Sequence, residues 1–273
     1  MNGPIAQLAA IACHANAFLA GRDIPEFFPS NSTCQFCDSI DFYQTVTDDF
    51  GKPRRQIVAE SPDEWIHALP LREVDGVRLA FSRRNDPGVG DRLSAGFVGG
   101  GRVWRMVVLR DDGISEHWAE AWHVWDEQAP GRRIWRVSYT LESTEPREAR
   151  AGRNLAIVKA ALRGSLEEVL GFSKRHTEGV FASHFTEALA ALDDAEADVD
   201  YHQDIAMPGQ LGADAQSLLK AASRAWVFGG MGSWNDMGFR EPVQTEYENV
   251  SDTLFDVVHE AIEVSVASTF LAS

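Results

Sequence analysis

The spacing of apolar residues changes character twice along this chain. Near the start, Ile5, Leu8, Ala9, Ala12, Ala15, Phe18 and Leu19 recur at helical spacing, which predicts an amphipathic helix over about 3–20 closed by Gly21. A Pro-containing connection, 24–30, follows. From about 40 to 142 the pattern becomes short alternating runs punctuated by turn residues, which reads as strands. From 143 onward the helical period returns.

The β-rich part carries the sharpest local signals. Asp112-Gly113 lies between runs 102–109 and 114–125, and an Asp-Gly pair so flanked favours a two-residue hairpin because both central residues take positive φ. A third run, 133–141, completes an expected antiparallel meander after Pro130-Gly131. Asp75-Gly76 predicts a second hairpin joining 66–74 to 77–81, with Pro70 confining the first strand to an edge. The turn 48–53 separates runs 40–47 and 54–59 in the same way. The glycine-rich stretch 86–101 reads as a long loop and a candidate lid.

In the last part, Ser143 or Thr144 is a suitable N-cap, with Pro146 in the first turn where its missing N–H is harmless. Leu155, Val158, Leu162, Leu166, Val169 and Leu170 continue the stripe to Gly171. Further helices are expected at about 178–196, 213–228 and 248–271. Strands followed by helices, without βαβ alternation, predict an α+β fold. The expected architecture is an antiparallel sheet of about 5–7 strands (40–142) packed against the N-terminal helix (1–39) and a C-terminal helical layer (143–273), all in one compact unit.

Charge narrows the function classes. The chain has 41 acidic and 25 basic residues, a formal charge of −16. That balance argues against nucleic acid and anionic membrane surfaces as partners. The deficit is concentrated: after residue 180 there are 16 acids and only Lys220, Arg224 and Arg240. Such a region is either a solvated face or a docking surface for a basic protein. No secretory signal or membrane-spanning run is expected, and three cysteines suggest a reducing compartment, so the cytoplasm is the expected location.

Four constellations carry potential chemistry. Cys34-Gln-Phe-Cys37, with Cys13-His14, has part of a zinc or redox pattern, but buried free thiols explain it more simply. Trp65, Trp104, Trp118, Trp122, Trp125 and Trp135 crowd the β part, and on an unbroken strand Glu116, Trp118, Glu120 and Trp122 share one face. That face either lines a pocket or packs under helices. The segment 226–239 combines four glycines with Trp234, Asn235 and Asp236, matching neither a phosphate loop nor a dinucleotide fingerprint. Finally, Asp256, His259, Glu260 and Glu263 share one side of the last helix, half of a di-metal pattern without a second half. The acidic run 193–200 lacks the glycine and glutamate of a calcium loop.

These features favour binding of a small or polar ligand in a Trp-lined cleft near loop 229–239, with Trp118, Glu120, Trp122, Trp234, Asn235 and Asp236 as its residues and no metal or cofactor. The alternatives are a carboxylate- or metal-dependent hydrolase drawing on Glu116, Glu120, Asp236 and His259, and an acidic protein-interaction module. No serine-nucleophile elbow and no His-Glu-x-x-His sequence is present.

Overall fold

The computed structural model describes residues 1–84, 88–147, 153–198 and 202–270. Asp86 at the start of the predicted lid, Val199 and Asp200 in the acidic run, and residue 271 of the predicted last helix lie outside them. In chain order the elements are α1 (Gly3–Leu19), β1 (Cys37–Thr47), β2 (Pro53–Ala59), α2 (Pro62–Ala68), β3 (Val74–Ser82), the single turn α3 (Asp91–Ser94), β4 (Val103–Arg110), β5 (Ile114–Val124) and β6 (Trp135–Pro146). Then come α4 (Leu155–His176), α5 (Ala182–Asp193), α6 (Ala213–Arg224) and α7 (Val243–Ala267). The fold class is α+β.

The six strands lie in the order β2-β1-β6-β5-β4-β3. All neighbours are antiparallel except β1 and β6, which run parallel from Cys37 beside Trp135 to Gln44 beside Leu141. The expectation of a purely antiparallel sheet is therefore corrected at this one pair. Its cause is topological. After the β1–β2 hairpin the chain passes through α2 to the far edge, and the β3–β6 meander brings it back beside β1 pointing the same way. The Asp112-Gly113 hairpin forms, but with three residues between β4 and β5 and positive φ at Gly113 alone (+81°), so the expected two-residue turn is corrected to a turn closed by the Gly113 N–H on the Arg110 carbonyl.

Two local expectations fail, each for a readable reason. Residues 62–68 are helical because Ser61 accepts the Glu64 N–H as an N-cap and Pro62 occupies the first turn. Asp75-Gly76 then lies inside β3 at an irregularity in its pairing with β4, rather than in a hairpin. Residues 143–146 extend β6, where Pro146 pairs with Ile114, and the following helix starts at Leu155 under an Asn154 cap.

Helix α1 is not amphipathic: every residue from Ile5 to Ala17 is buried. A helix buried all round must satisfy its polar side chains internally. Gln7 donates to the Thr33 carbonyl (3.2 Å) and accepts from the Tyr139 hydroxyl (2.9 Å). The His14 ring meets the Asp204 carbonyl at 3.1 Å. Asn16 binds Val77 of edge strand β3 like an extra strand, accepting its N–H at 2.8 Å and donating to its carbonyl at 2.9 Å. The Asn16 amide also donates to Thr269 Oγ1, 2.8 Å away.

On the sheet, α1 contacts β3 and β4, and α2 contacts β1 and β2. Helices α4 to α7 pack chiefly on one another, with α7 also lying along β3. Among the described residues no helix is long and apolar enough to cross a membrane. Because Asn16 occupies the backbone of an otherwise open edge, Asn16→Ala would strand a buried N–H and carbonyl. It should cost about 2–4 kcal/mol in a urea unfolding titration; a loss below about 0.5 kcal/mol would mean the edge finds other partners.

Candidate functional site

Strand β5 runs from under the helical cover into the open. Glu116 and Trp118 are buried, while two residues further along the same face Glu120 and Trp122 are half-buried. They line a cleft at the start of α1. One part of it, about 380 Å³, is walled by Pro4, Val98, Arg102, Trp104, Glu120 and Trp122. An adjoining part, about 610 Å³, shares Pro4, Val98 and Trp122 and adds Phe36, Cys37 and Trp135. The Trp122 and Trp135 rings meet at 74° with centroids 6.0 Å apart, forming an aromatic corner.

Glu120 is the chemically unusual group of this cleft. Its carboxylate accepts the Trp122 indole N–H at 3.0 Å. Burial pushes its pKa up from about 4.5 to about 7, against the opposing pull of that bond. Beside it the Tyr139 phenol is held protonated, chiefly by burial and secondarily by Glu120. His259, in the same wall, is neutral: burial lowers its pKa to about 3. Its Nδ1–H donates to the Phe255 carbonyl at 2.6 Å, so Nε2 is an acceptor, and it has no partner.

The glycine-rich loop over the cleft is anchored rather than free. Arg102, with its side chain 8% exposed, lies between Asp91 and Asp256. Arg84 donates to the Gly99 and Gly101 carbonyls. A Cβ placed on Gly96 would come 2.2 Å from the Gly229 carbonyl oxygen, so the two glycine-rich loops touch backbone to backbone.

Only Glu120 and Trp122 of the six expected residues line the cleft. Trp118 is fully buried against Phe42 and Trp65, its N–H on Glu116 at 3.1 Å. Trp234 is fully buried in a ring cluster with Phe172, Phe185 and Tyr247, and donates to Ser251 at 2.7 Å. Asn235 exchanges hydrogen bonds with Arg92 at 2.8 and 3.0 Å, and Asp236 closes its own loop onto the Gly232 N–H. Segment 229–239 therefore sits against the loop that carries Gly96 rather than in the cleft. Pro4, Phe36 and Val98 were not legible as site residues, because no local signal brings residues so distant in sequence to one cleft. Trp135 was visible as one of the strand tryptophans.

The remaining constellations are engaged elsewhere. The three cysteines are buried free thiols held protonated, with burial raising Cys37 to about 11 and Cys13 to about 12. The acids of α7 meet arginines from outside the helix: Asp252 meets Arg92 at 2.6 Å, Asp256 meets Arg102, and Glu260 meets Arg153 at 2.8 Å. Among the described residues no three His, Cys, Asp or Glu are grouped to hold a metal. Ser32 Oγ lies 2.6 Å from His202 Nδ1 and donates its hydrogen bond to the Asp204 carboxylate. In a catalytic triad the serine hydroxyl donates to the histidine, so this is not the triad order. Asp204 also accepts the Ser32 N–H at 2.6 Å and its carbonyl accepts from Asn31 at 2.9 Å, so the cluster clips two loops together.

Compared with known protein families, curated proteins and solved structures, the chain matches none.

The loop contact and the Glu120 carboxyl each give a measurable consequence. Gly96→Ala should cost about 1–3 kcal/mol, since backbone must move on both sides, and should shift the amide resonances of 229–233 as well as its own neighbours. A neutral substitution would remove the close packing of the loops. For Glu120 the folded-state pKa lies above the unfolded one, so protonation favours folding. Stability then rises as pH falls from about 7 to about 4.5 and levels off below. Glu120→Gln should accordingly raise stability by roughly 1–2 kcal/mol above pH 7 and by little near pH 4.5. An unchanged pH–stability curve would mean that Glu120 is well solvated.

Proposed function

We propose that the protein binds a small molecule carrying an aromatic or other flat ring in the cleft between β5, the start of α1 and the loop around Val98. The observation that carries this reading is the pair of half-buried indoles, Trp122 and Trp135, set at 74° around space shared by two adjoining cavities. Indoles needed only for packing close against neighbours, as Trp118 and Trp234 do. Ligand sites typically combine such apolar walls with a few convergent polar groups; here Glu120 supplies the polar anchor and the anchored lid limits solvent access.

The hydrolase alternative has less support. Glu116 and Glu120 are four residues apart on one strand, about 13 Å along it, beyond the roughly 5–9.5 Å that paired carboxylates span in glycoside hydrolysis. The Glu116 carboxylate is also occupied by Arg72 at 2.5 Å.

Native mass spectrometry of freshly purified protein tests the reading. The wild-type chain should carry a small-molecule adduct that is absent from Trp122→Ala and Trp135→Ala, with both variants melting within about 5 °C of wild type. An adduct retained in both variants, or a collapse in melting temperature in both, would instead make these indoles packing residues.

A further inference from the structure

Strand β5 contains the pattern Glu-x-Trp twice, as Glu116-His117-Trp118 and Glu120-Ala121-Trp122. In each copy the indole N–H donates to the carboxylate two residues earlier, at 3.1 and 3.0 Å. At the first copy a cation completes the arrangement. Arg72 binds Glu116 at 2.5 Å and its guanidinium stands 5.7 Å from the Trp118 ring centroid, and Arg110 approaches the same carboxylate at 3.7 Å. At the second copy, no cationic side chain among the described residues lies within ion-pair distance of Glu120, and Trp122 opens onto the cleft.

We propose that the cleft takes an organic cation bearing N–H groups, a primary ammonium or a guanidinium. It would occupy at Glu120 and Trp122 the place that Arg72 occupies at Glu116 and Trp118. The inference rests on the reading of this cleft as a small-molecule site. A carboxylate removed from water without a counter-charge carries a desolvation cost that an arriving cation offsets. Trp135 and Phe36 add ring surface around the same space, where a cation is attracted to aromatic faces. The Trp122 N–H bonded to a carboxylate makes that ring more electron-rich. The overall charge of −16 raises the concentration of cations near the surface.

The other charged groups around Glu120 are engaged, and the His202 ring that lines the adjoining cavity meets Ser32 Oγ at 2.6 Å with its pKa lowered, chiefly by burial. Arg102 is held by Asp91 and Asp256, Arg105 by Glu142 at 2.7 Å, and Arg84 by the Gly99 and Gly101 carbonyls. His259 is neutral, and so is the Met1 amino group, which donates to the Ser223 carbonyl at 3.2 Å. Tyr139 behind Glu120 stays protonated and donates to Gln7, and Cys37 is protonated. The N-terminal end of α1 also faces the cleft and would favour an anion. Its donors are largely spent: the Ile5 N–H lies on Asn2 Oδ1, the Ala6 N–H on the Asn2 carbonyl, and Pro4 has none.

Three probes sharing one ring and differing in charge test the proposal: phenethylamine, phenethyl alcohol and phenylacetate, titrated by calorimetry at about pH 8. Phenethylamine should bind about tenfold or more tightly than the other two, and its affinity should fall as pH drops toward 5 and Glu120 takes up a proton. In Glu120→Gln the preference should shrink to about twofold or less while the ring-driven binding of phenethyl alcohol persists. Equal or tighter binding of the alcohol or the acid, no binding of the amine, or an undiminished preference in Glu120→Gln would overturn it. If a neutral or anionic adduct dependent on Trp122 is found while the amine fails, the small-molecule reading stands and the cation inference falls. If neither adduct nor probe is retained, both fall.

Discussion

A helix with no solvent-facing side obliges each of its polar side chains to find a partner inside the protein, and that obligation organises this fold. Gln7, His14 and Asn16 of α1 reach three different parts of the chain: the 33–37 turn with β6, the Asp204 loop, and edge strand β3 with Thr269. The small residues between them, Ala9, Ala10, Ala12 and Ala15, let neighbouring elements approach the helix closely. Hydrophobic burial supplies the gross driving force. The three polar contacts fix which segments meet, because a wrong pairing leaves a buried donor or acceptor without a partner.

Charge is arranged by the same logic at lower stakes. The acids that give the last third its deficit are partly matched by arginines from elsewhere in the chain, as Arg92 and Arg102 match Asp252 and Asp256. Those pairs join the loop before β4 to α7, so the sequence-level imbalance between segments becomes a contact between them. Exposed ion pairs of this kind contribute little individually. These two pairs are different: the Arg92 and Arg102 guanidiniums are both buried and would be costly to leave unmatched.

Much of the fold was legible because its signals are local. The Asp112-Gly113 hairpin needs only its own flanking alternation and glycine, and the bodies of α4 to α7 follow from periodic stripes, although the start expected for α4 at 143–146 is taken by β6. Asp75-Gly76 misled because the same dipeptide fits a bulge. The Ser61-Pro62-Asp63-Glu64 run, a helix-start pattern, was the signal that would have identified α2. The parallel β1–β6 pair and the burial of α1 depend on long-range topology and had no local marker. Of the cleft, the alternation of Glu120 with Trp122 could be read from the strand. The separation of Trp118 from Trp122 could not, since Trp118 is covered by Trp65 of α2 and Phe42 of β1, which only the tertiary fold brings over it. Trp234 and Asp236 attracted notice by composition, yet that loop's glycines serve close backbone approach to Gly96.

The walls of the cleft come from Pro4, Phe36, Val98, Trp122 and Trp135, five places spread over the first half of the chain, with Trp226 and His259 joining from the second. None of these segments is adjacent in sequence to all the others, so the cleft exists only when the sheet, α1 and α7 are in place together, and any partial opening of one of them would dismantle it. A molecule held there would bind the complete native state and no sub-structure, so its binding free energy would be felt equally by the N-terminal helix and the last one.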